Sequence, residues 1–311
     1  MIKKVFIDGS AGTTGLRIYE RLGEREDITL ITLPEEKRKD IDARKEALNS
    51  ADIAFLCLPD AAAIEAVSLV ENPDTVIIDT STAHRTQEGW TYGFPELSKE
   101  HEQAVINSKR IAVPGCHASG FIALVYPLIE GGIISADTLL SCHSITGFSG
   151  GGKSMIADYN ADNRAESLSS PRQYGITQNH KHLKEMRAVT GLENSPIFCP
   201  IVSDFYSGME VTVPLFASQL NEGYTIEDIR KIYKEKYSGN IVKYSDNIDE
   251  NGFIASNSLS FMDSMQITVA GNKERILLIA RYDNLGKGAS GAAVECMNLS
   301  MKKDRTTGLK I

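Results

Sequence analysis

Short continuous apolar runs, each closed by glycine, proline or a polar residue, punctuate the first third of the chain: Lys4–Asp8, Ile28–Leu33, Ala51–Leu58, Thr75–Asp79 and Arg110–Val113. Between them the pattern loosens into helix-like stretches at 16–22, 43–49, 60–71 and 97–107. Strands apolar at consecutive positions are buried on both faces, and the helices between them are crossovers of a parallel sheet. Residues 1–115 are therefore expected to form a doubly wound α/β domain of the Rossmann type. Beyond them the pattern changes. Thr138–Ile145, Pro196–Val202, Met209–Phe216, Ser258–Ala270 and Ile276–Tyr282 are β-rich, and several are spaced for an antiparallel sheet. Helix-like segments at 153–167, 180–189 and 225–236 accompany them, so 116–285 reads as an α+β domain. A small-residue helix at 287–301 opens the C-terminal stretch 286–311, which is expected to pack back on the first domain.

Composition narrows the class. The 311 residues are 42% hydrophobic and 24% charged, which excludes a disordered, collagenous or membrane-spanning chain. Lys and Arg number 33 against 41 Asp and Glu, a net charge of −8, so no nucleic-acid or anionic-membrane coat is expected. Five cysteines, odd and sparse, make no disulfide framework and suit a reducing compartment. With no signal-like apolar stretch at the start, a cytoplasmic enzyme or binding protein is expected.

Gly9, Ser10, Ala11, Gly12, Thr13, Thr14 and Gly15 follow the first strand and precede a helix, with glycines spaced G-x-x-G-x-x-G. Glycine permits a tight turn and close approach to a pyrophosphate, and the helix start offers free N–H donors. A dinucleotide is the expected ligand. After the second strand stand Lys37, Arg38 and Lys39 rather than a lone acidic ribose ligand, although Glu35 and Glu36 precede them. The cations favour a 2′-phosphate, hence NADP(H).

In Val113-Pro114-Gly115-Cys116-His117-Ala118-Ser119-Gly120 a strand ends and a small-residue helix begins at the cysteine. Free N–H groups at a helix start favour a thiolate and can hold an oxyanion, so Cys116 is the candidate nucleophile. Cys57, Cys142, Cys199 and Cys296 read as buried small hydrophobes. His182 and Glu185, at i and i+3, share a helix face, which suits a base and the carboxylate that orients it. His117 is expected to point elsewhere on its helix, His101 reads as a surface residue, and no metal is expected, since no third ligand stands at a familiar spacing. Gly147–Ser154 matches the phosphate-binding pattern G-x-x-x-x-G-K-S. Its position after a complete α/β half, and the polar stretch that follows it, disfavour a nucleotide hydrolase without removing that alternative. Arg85, Ser149 and Lys153 are candidates for holding a substrate phosphate or carboxylate.

These pieces together resemble the shorter N-acetyl-γ-glutamyl-phosphate reductases. The matching stretches are Gly9–Gly15, Asp79–Arg85, Pro114–Gly120, Gly147–Lys153, His180–Glu185 and Asp283–Gly291, in one order along the chain. The resemblance implies a Rossmann domain and an α+β catalytic and dimerisation domain, as in glyceraldehyde-3-phosphate and aspartate-semialdehyde dehydrogenases. It implies NADPH-dependent reduction of an acyl phosphate to an aldehyde through a cysteine thioester, in arginine biosynthesis, by a homodimer or homotetramer. Cys116 matches the nucleophile, His182 the base and Glu185 its partner; Asn284 and Gly286 match the loop that meets the nicotinamide. The chain departs from the longer form at Lys184, where proline is common, and at His117, where an aromatic is common. A related reductase acting on another acyl phosphate shares every motif and stays an alternative.

Overall fold

In the computed structural model, which describes residues 2–311, the chain divides into two units. The first runs to Gly115 and regains Ala289–Leu309; the second comprises Cys116–Gly288 and Lys310–Ile311.

The first unit is built from β1 (Lys3–Asp8), α1 (Thr13–Leu22), β2 (Ile28–Ile31), α2 (Ile41–Ser50), β3 (Ile53–Leu56), α3 (Asp60–Ser68), β4 (Val76–Asp79), β5 (Thr91–Tyr92), α4 (Lys99–Asn107) and β6 (Arg110–Ala112). Its six strands are parallel, in the order β2-β1-β3-β4-β6-β5. The order reverses between β1 and β3, where ligands bind open α/β sheets. Strands β3 and β4 are buried at every position, as their apolar runs require, with Asp79 closing β4.

The second unit holds α5 (Cys116–Glu130), β7 (Ser141–Gly147), α6 (Gly152–Asn160), β8 (Arg172–Gln173), α7 (His182–Thr190), β9 (Ile197–Ser203), β10 (Met209–Phe216), α8 (Ile226–Lys236), β11 (Val242–Tyr244), β12 (Met265–Gly271) and β13 (Arg275–Tyr282). Its sheet order is β11-β12-β13-β10-β7-β9-β8. The sheet is mixed rather than antiparallel throughout, because β7 pairs with β9, and β11 with β12, in parallel. Helix α5 is apolar nearly all round and packs on β10, β13, α7 and α8. Gly120 lets it approach closely: a Cβ there would stand 2.7 Å from the Tyr282 hydroxyl and from Val211. After β13 a π-turn (Gly286–Ser290) leads into α9 (Gly291–Ser300), which lies on β4, α1 and α4 of the first unit.

Two expected elements depart furthest from their expected bounds. The helix expected over 153–167 ends at Asn160, where Arg164 turns back to the Tyr159 carbonyl and pairs with Asp204. The strand expected from Ser258 begins only at Met265, because the buried Asp283 carboxylate takes the Phe261 N–H and Ser260 donates to the Ser207 carbonyl, holding the segment in turns. Among the described residues no helix is long and apolar enough to cross a membrane.

Candidate active site and cofactor cleft

In the first unit a cleft of about 980 Å³ opens at the reversal of strand order, lined by Gly9, Ser10, Ala11, Thr32, Arg38 and Lys39 among others. Gly9 has φ +86°, and a Cβ there would fall 2.3 Å from the Cys57 carbonyl oxygen, so only glycine makes this turn. Gly12 caps α1 without any side-chain bond, and Thr13, Thr14 and Gly15 form its first turn. That turn has no intrahelical partners for its N–H groups, which suits a pyrophosphate. Thr32, just past β2, is neutral where an acidic ribose ligand would stand, while Arg38 and Lys39 line the cleft; a dinucleotide with a 2′-phosphate fits these residues. Lys37 belongs to the 3-10 turn Glu35–Lys37 and is not among the lining residues; Lys39 takes the place expected of it. Arg44 also lines the cleft, but its guanidinium is held by Asp8 at 3.0 Å and Glu65 at 2.8 Å.

Arg85 lies in this unit too. It donates to the carbonyls of Val113 at 2.8 Å and Thr80 at 3.0 Å, which pins the ends of β6 and β4 together. These two bonds use two of the five N–H donors of the guanidinium and fix it at the ends of the two strands. Close by, buried Asp79 accepts from Ser81 and pairs with His84 Nδ1 at 2.6 Å, and the His84 ring stacks on Trp90.

In the second unit α5 begins at Cys116, which is half-buried. The π-turn passes directly over it: a Cβ on Gly288 would stand 3.1 Å from the Cys116 Cβ. Tyr282 donates its hydroxyl to the Cys116 carbonyl at 2.5 Å and accepts from the Gly120 N–H, which fixes the first turn of α5. Helix α7 packs against α5 and carries His182 and Glu185, both buried, with Nε2 and Oε1 4.0 Å apart. The shared helix face is as the spacing requires; the separation is that of an ion pair rather than a direct hydrogen bond.

The rings of His117, His180 and His182 meet at the junction of α5 and α7, with centroids 4.7–5.7 Å apart. Burial lowers His117 to about 3 and His180 to about 4, so both are neutral at ordinary pH. His117 turns into this cluster, and its environment was not legible in the motif. Asp283 is fully buried and accepts from Ser207 at 2.8 Å and from the Leu285 and Gly286 N–H groups. Asn284 donates to Ser149 at 3.0 Å and accepts from the Gly208 N–H. Ser149 is therefore buried beside Asn284, whereas Lys153 is exposed on α6.

The stretch matching a phosphate-binding loop does not form one. It follows β7, which is antiparallel to β10, and it folds as a 3-10 turn whose Phe148 and Ser149 N–H groups donate to the Phe205 and Tyr206 carbonyls. Those donors are spent on backbone, so they cannot cradle an anion. Of the other cysteines, Cys142 and Cys296 are buried, and burial pushes Cys57 up to about 12. Cys199 is half-buried on β9. Among the described residues no three His, Cys, Asp or Glu side chains gather to hold a metal ion.

Comparison with known proteins places this geometry. The family described as "Semialdehyde dehydrogenase, NAD binding domain" matches residues 4–105, and "Semialdehyde dehydrogenase, dimerisation domain" matches 116–284. Among solved structures, aspartate semialdehyde dehydrogenase II from Vibrio cholerae, complexed with ASA, superposes with a TM-score of 0.73 over 97% of this chain and 99% of that one, at 15% identity. The aspartate semialdehyde dehydrogenase of Francisella tularensis gives 0.72 at 16% identity, covering 96% and 99%. At such identities the likeness is one of fold. The N-acetyl-γ-glutamyl-phosphate reductase of Chelativorans sp. (strain BNC1) is 45% identical over 97% of this chain and 99% of its own. N-acetyl-γ-glutamyl-phosphate reductase 2 of Nostoc sp. (strain PCC 7120) is 41% identical over 98% and 99%. With the fold, the cleft and near-complete coverage in agreement, the chain belongs to the N-acetyl-γ-glutamyl-phosphate reductase family.

Proposed function

We infer that this chain reduces N-acetyl-γ-glutamyl phosphate to N-acetylglutamate 5-semialdehyde with NADPH, releasing phosphate, as a homo-oligomer in the cytoplasm. The observation that carries the chemistry is Cys116 at the N-terminus of α5, with His182 and Glu185 on the helix packed against it.

The N–H groups at the start of α5 stabilise negative charge on Cys116 Sγ and on an oxyanion formed beside it. Sγ attacks the acyl carbon, the C–O bond to phosphate breaks, and a thioester forms. NADPH, when bound at Gly9–Gly15, supplies the hydride that takes the thioester to the aldehyde level. His182 takes the proton from the thiol, gives one to the oxygen as the thiohemiacetal forms and takes it back as the C–S bond breaks, which releases the aldehyde and restores Cys116; Glu185, 4.0 Å from the ring, orients it. Splitting the reaction at a covalent stage replaces one difficult step by easier ones. Buried Ser149 and, at the surface, Lys153 serve the substrate's anionic groups, and the buried Asp283 carboxylate shapes the loop of Asn284 and Gly286. The second copy docks on the second unit, which matches a domain named for dimerisation.

The test is an assay in the reverse direction, with a panel of aldehydes, phosphate and either NADP⁺ or NAD⁺. N-acetylglutamate 5-semialdehyde should be oxidised with a kcat/KM at least about tenfold above aspartate semialdehyde, and NADP⁺ preferred by at least about tenfold, a difference of about 1.4 kcal/mol. Exchanging Arg38 and Lys39 for Ser should remove that cofactor preference. Preference for the aspartate aldehyde would reassign the substrate, and equal use of both cofactors by the unaltered protein would show the two cations to be merely solvated.

A further inference from the structure

Beside Cys116 runs a chain of three side chains that the mechanism above leaves unused. Ser144, on β7, is fully buried, and its Oγ lies 2.7 Å from His117 Nδ1. The opposite nitrogen, His117 Nε2, lies 2.6 Å from the Tyr174 hydroxyl. Tyr174 sits just past β8, where its backbone N–H donates to the Pro200 carbonyl, and its ring meets His117 edge-on at 6.0 Å. Among the described residues His117 is the sole side-chain partner of both hydroxyls.

The direction of these bonds follows from burial. A neutral imidazole carries one N–H and one acceptor nitrogen. Were Nδ1 the donor, the Ser144 proton would be left buried with no acceptor. Orphaned buried donors are rarer and costlier than half-used acceptors. Ser144 therefore donates to Nδ1, which places the His117 proton on Nε2, where it is donated to the Tyr174 oxygen. Tyr174 accepts that bond and keeps its own proton to give elsewhere. We propose that Ser144 and His117 are positioning residues that orient the Tyr174 hydroxyl as a hydrogen-bond donor to the acyl oxygen or sulfur at Cys116. Nothing in the chain needs a net proton movement, and its buried Ser144 end makes no exit to solvent. Burial holds His117 neutral, which the arrangement requires. Burial and the negative charge of Cys116 both raise Tyr174 above its ordinary value, so the two groups sense one another and the hydroxyl stays protonated.

The proposal rests on the reductase reading, and a double-mutant cycle keeps the two apart. NADPH oxidation with acyl phosphate is measured for the unaltered protein, Tyr174→Phe, His117→Phe and the double variant, with melting temperatures for each. Tyr174→Phe should lower kcat by about 10- to 100-fold, the range for a bond to a charged group, with KM for NADPH unchanged. His117→Phe should cost nearly as much alone and less than about threefold more when Tyr174 is already Phe. His117→Gln, which pairs an acceptor with a donor at a similar separation, should recover most of the loss. Ser144→Ala, a smaller change in case His117→Phe fails to fold, should cost a few-fold in the unaltered background and nothing beside Tyr174→Phe. Additive losses in either cycle, or full activity in Tyr174→Phe, would overturn the chain's role while leaving the reductase in place. Absence of turnover in the unaltered protein would instead overturn the reductase reading.

Discussion

Cys116→Ser is expected to lower turnover by on the order of 10⁴-fold or more, as removal of a covalent nucleophile does elsewhere, while NADPH affinity stays within about twofold. The two effects separate because the residues that line the cleft belong to the first unit and Cys116 opens the second. A serine hydroxyl at the same helix start is far less ionised than a thiol and cannot form the thioester at a useful rate. Stopped-flow NADPH oxidation and a fluorescence titration read the two quantities. Iodoacetamide should block Cys116 first, since Cys142 and Cys296 are buried and the Cys57 thiol is pushed up to about 12. A serine variant retaining a tenth of the activity, or activity lost in step with labelling of Cys199, would remove Cys116 from the chemistry.

The second large effect belongs to His182. His182→Asn should lower kcat by about 10²- to 10⁴-fold, the usual worth of a positioned acid–base group, with KM for the acyl phosphate little changed. Glu185→Gln should cost less, about tenfold, because its carboxylate acts on the reaction only through the imidazole, 4.0 Å away. In that variant the acid limb of the kcat profile should move to lower pH: a ring that has lost its negative neighbour holds its proton less firmly. An unshifted profile in Glu185→Gln, or a His182→Asn enzyme within a few-fold of the unaltered one, would show the pair to be packing rather than chemistry.

How much of this was legible depended on how locally each feature is encoded. Strands β3 and β4 announce themselves because every residue but the closing Asp79 is apolar, and Gly9 because the turn it makes tolerates nothing else. Strands β5, β8 and β11 hold two or three residues each, too few for a period to exist. The false start of β12 at Ser258 traces to one carboxylate, Asp283, reaching a backbone N–H 22 residues earlier in the chain. Gly147–Ser154 copied a phosphate-binding pattern letter by letter; what disqualified it was the pairing of β7 and the loss of two N–H donors to carbonyls nearly 60 residues on. The neighbours that give His117 its meaning are 27 and 57 positions away, so its motif did not show them. Lys37 and Lys39 differ by two positions in a charged turn, a distinction no composition carries.

The excursion of the chain between Gly115 and Ala289 has a consequence for biosynthesis. Helix α9 supplies Ala292, Ala293, Val294, Cys296, Met297 and Leu299 to the core that also contains Val5, Ile7, Phe55 and Ile78. On the ribosome that apolar surface of the first unit has no cover until the last helix emerges. At 5–20 residues per second the wait lasts on the order of 10–30 s. During it the nascent chain presents a sticky sheet face, the kind of surface that chaperones grip and aggregates recruit. A chain ended at Gly288 should freeze that stage: it is expected to bind a hydrophobic dye strongly and to precipitate, and α9 supplied as a separate peptide should suppress both. A soluble, dye-silent truncation would mean that the first unit closes its core without its last helix.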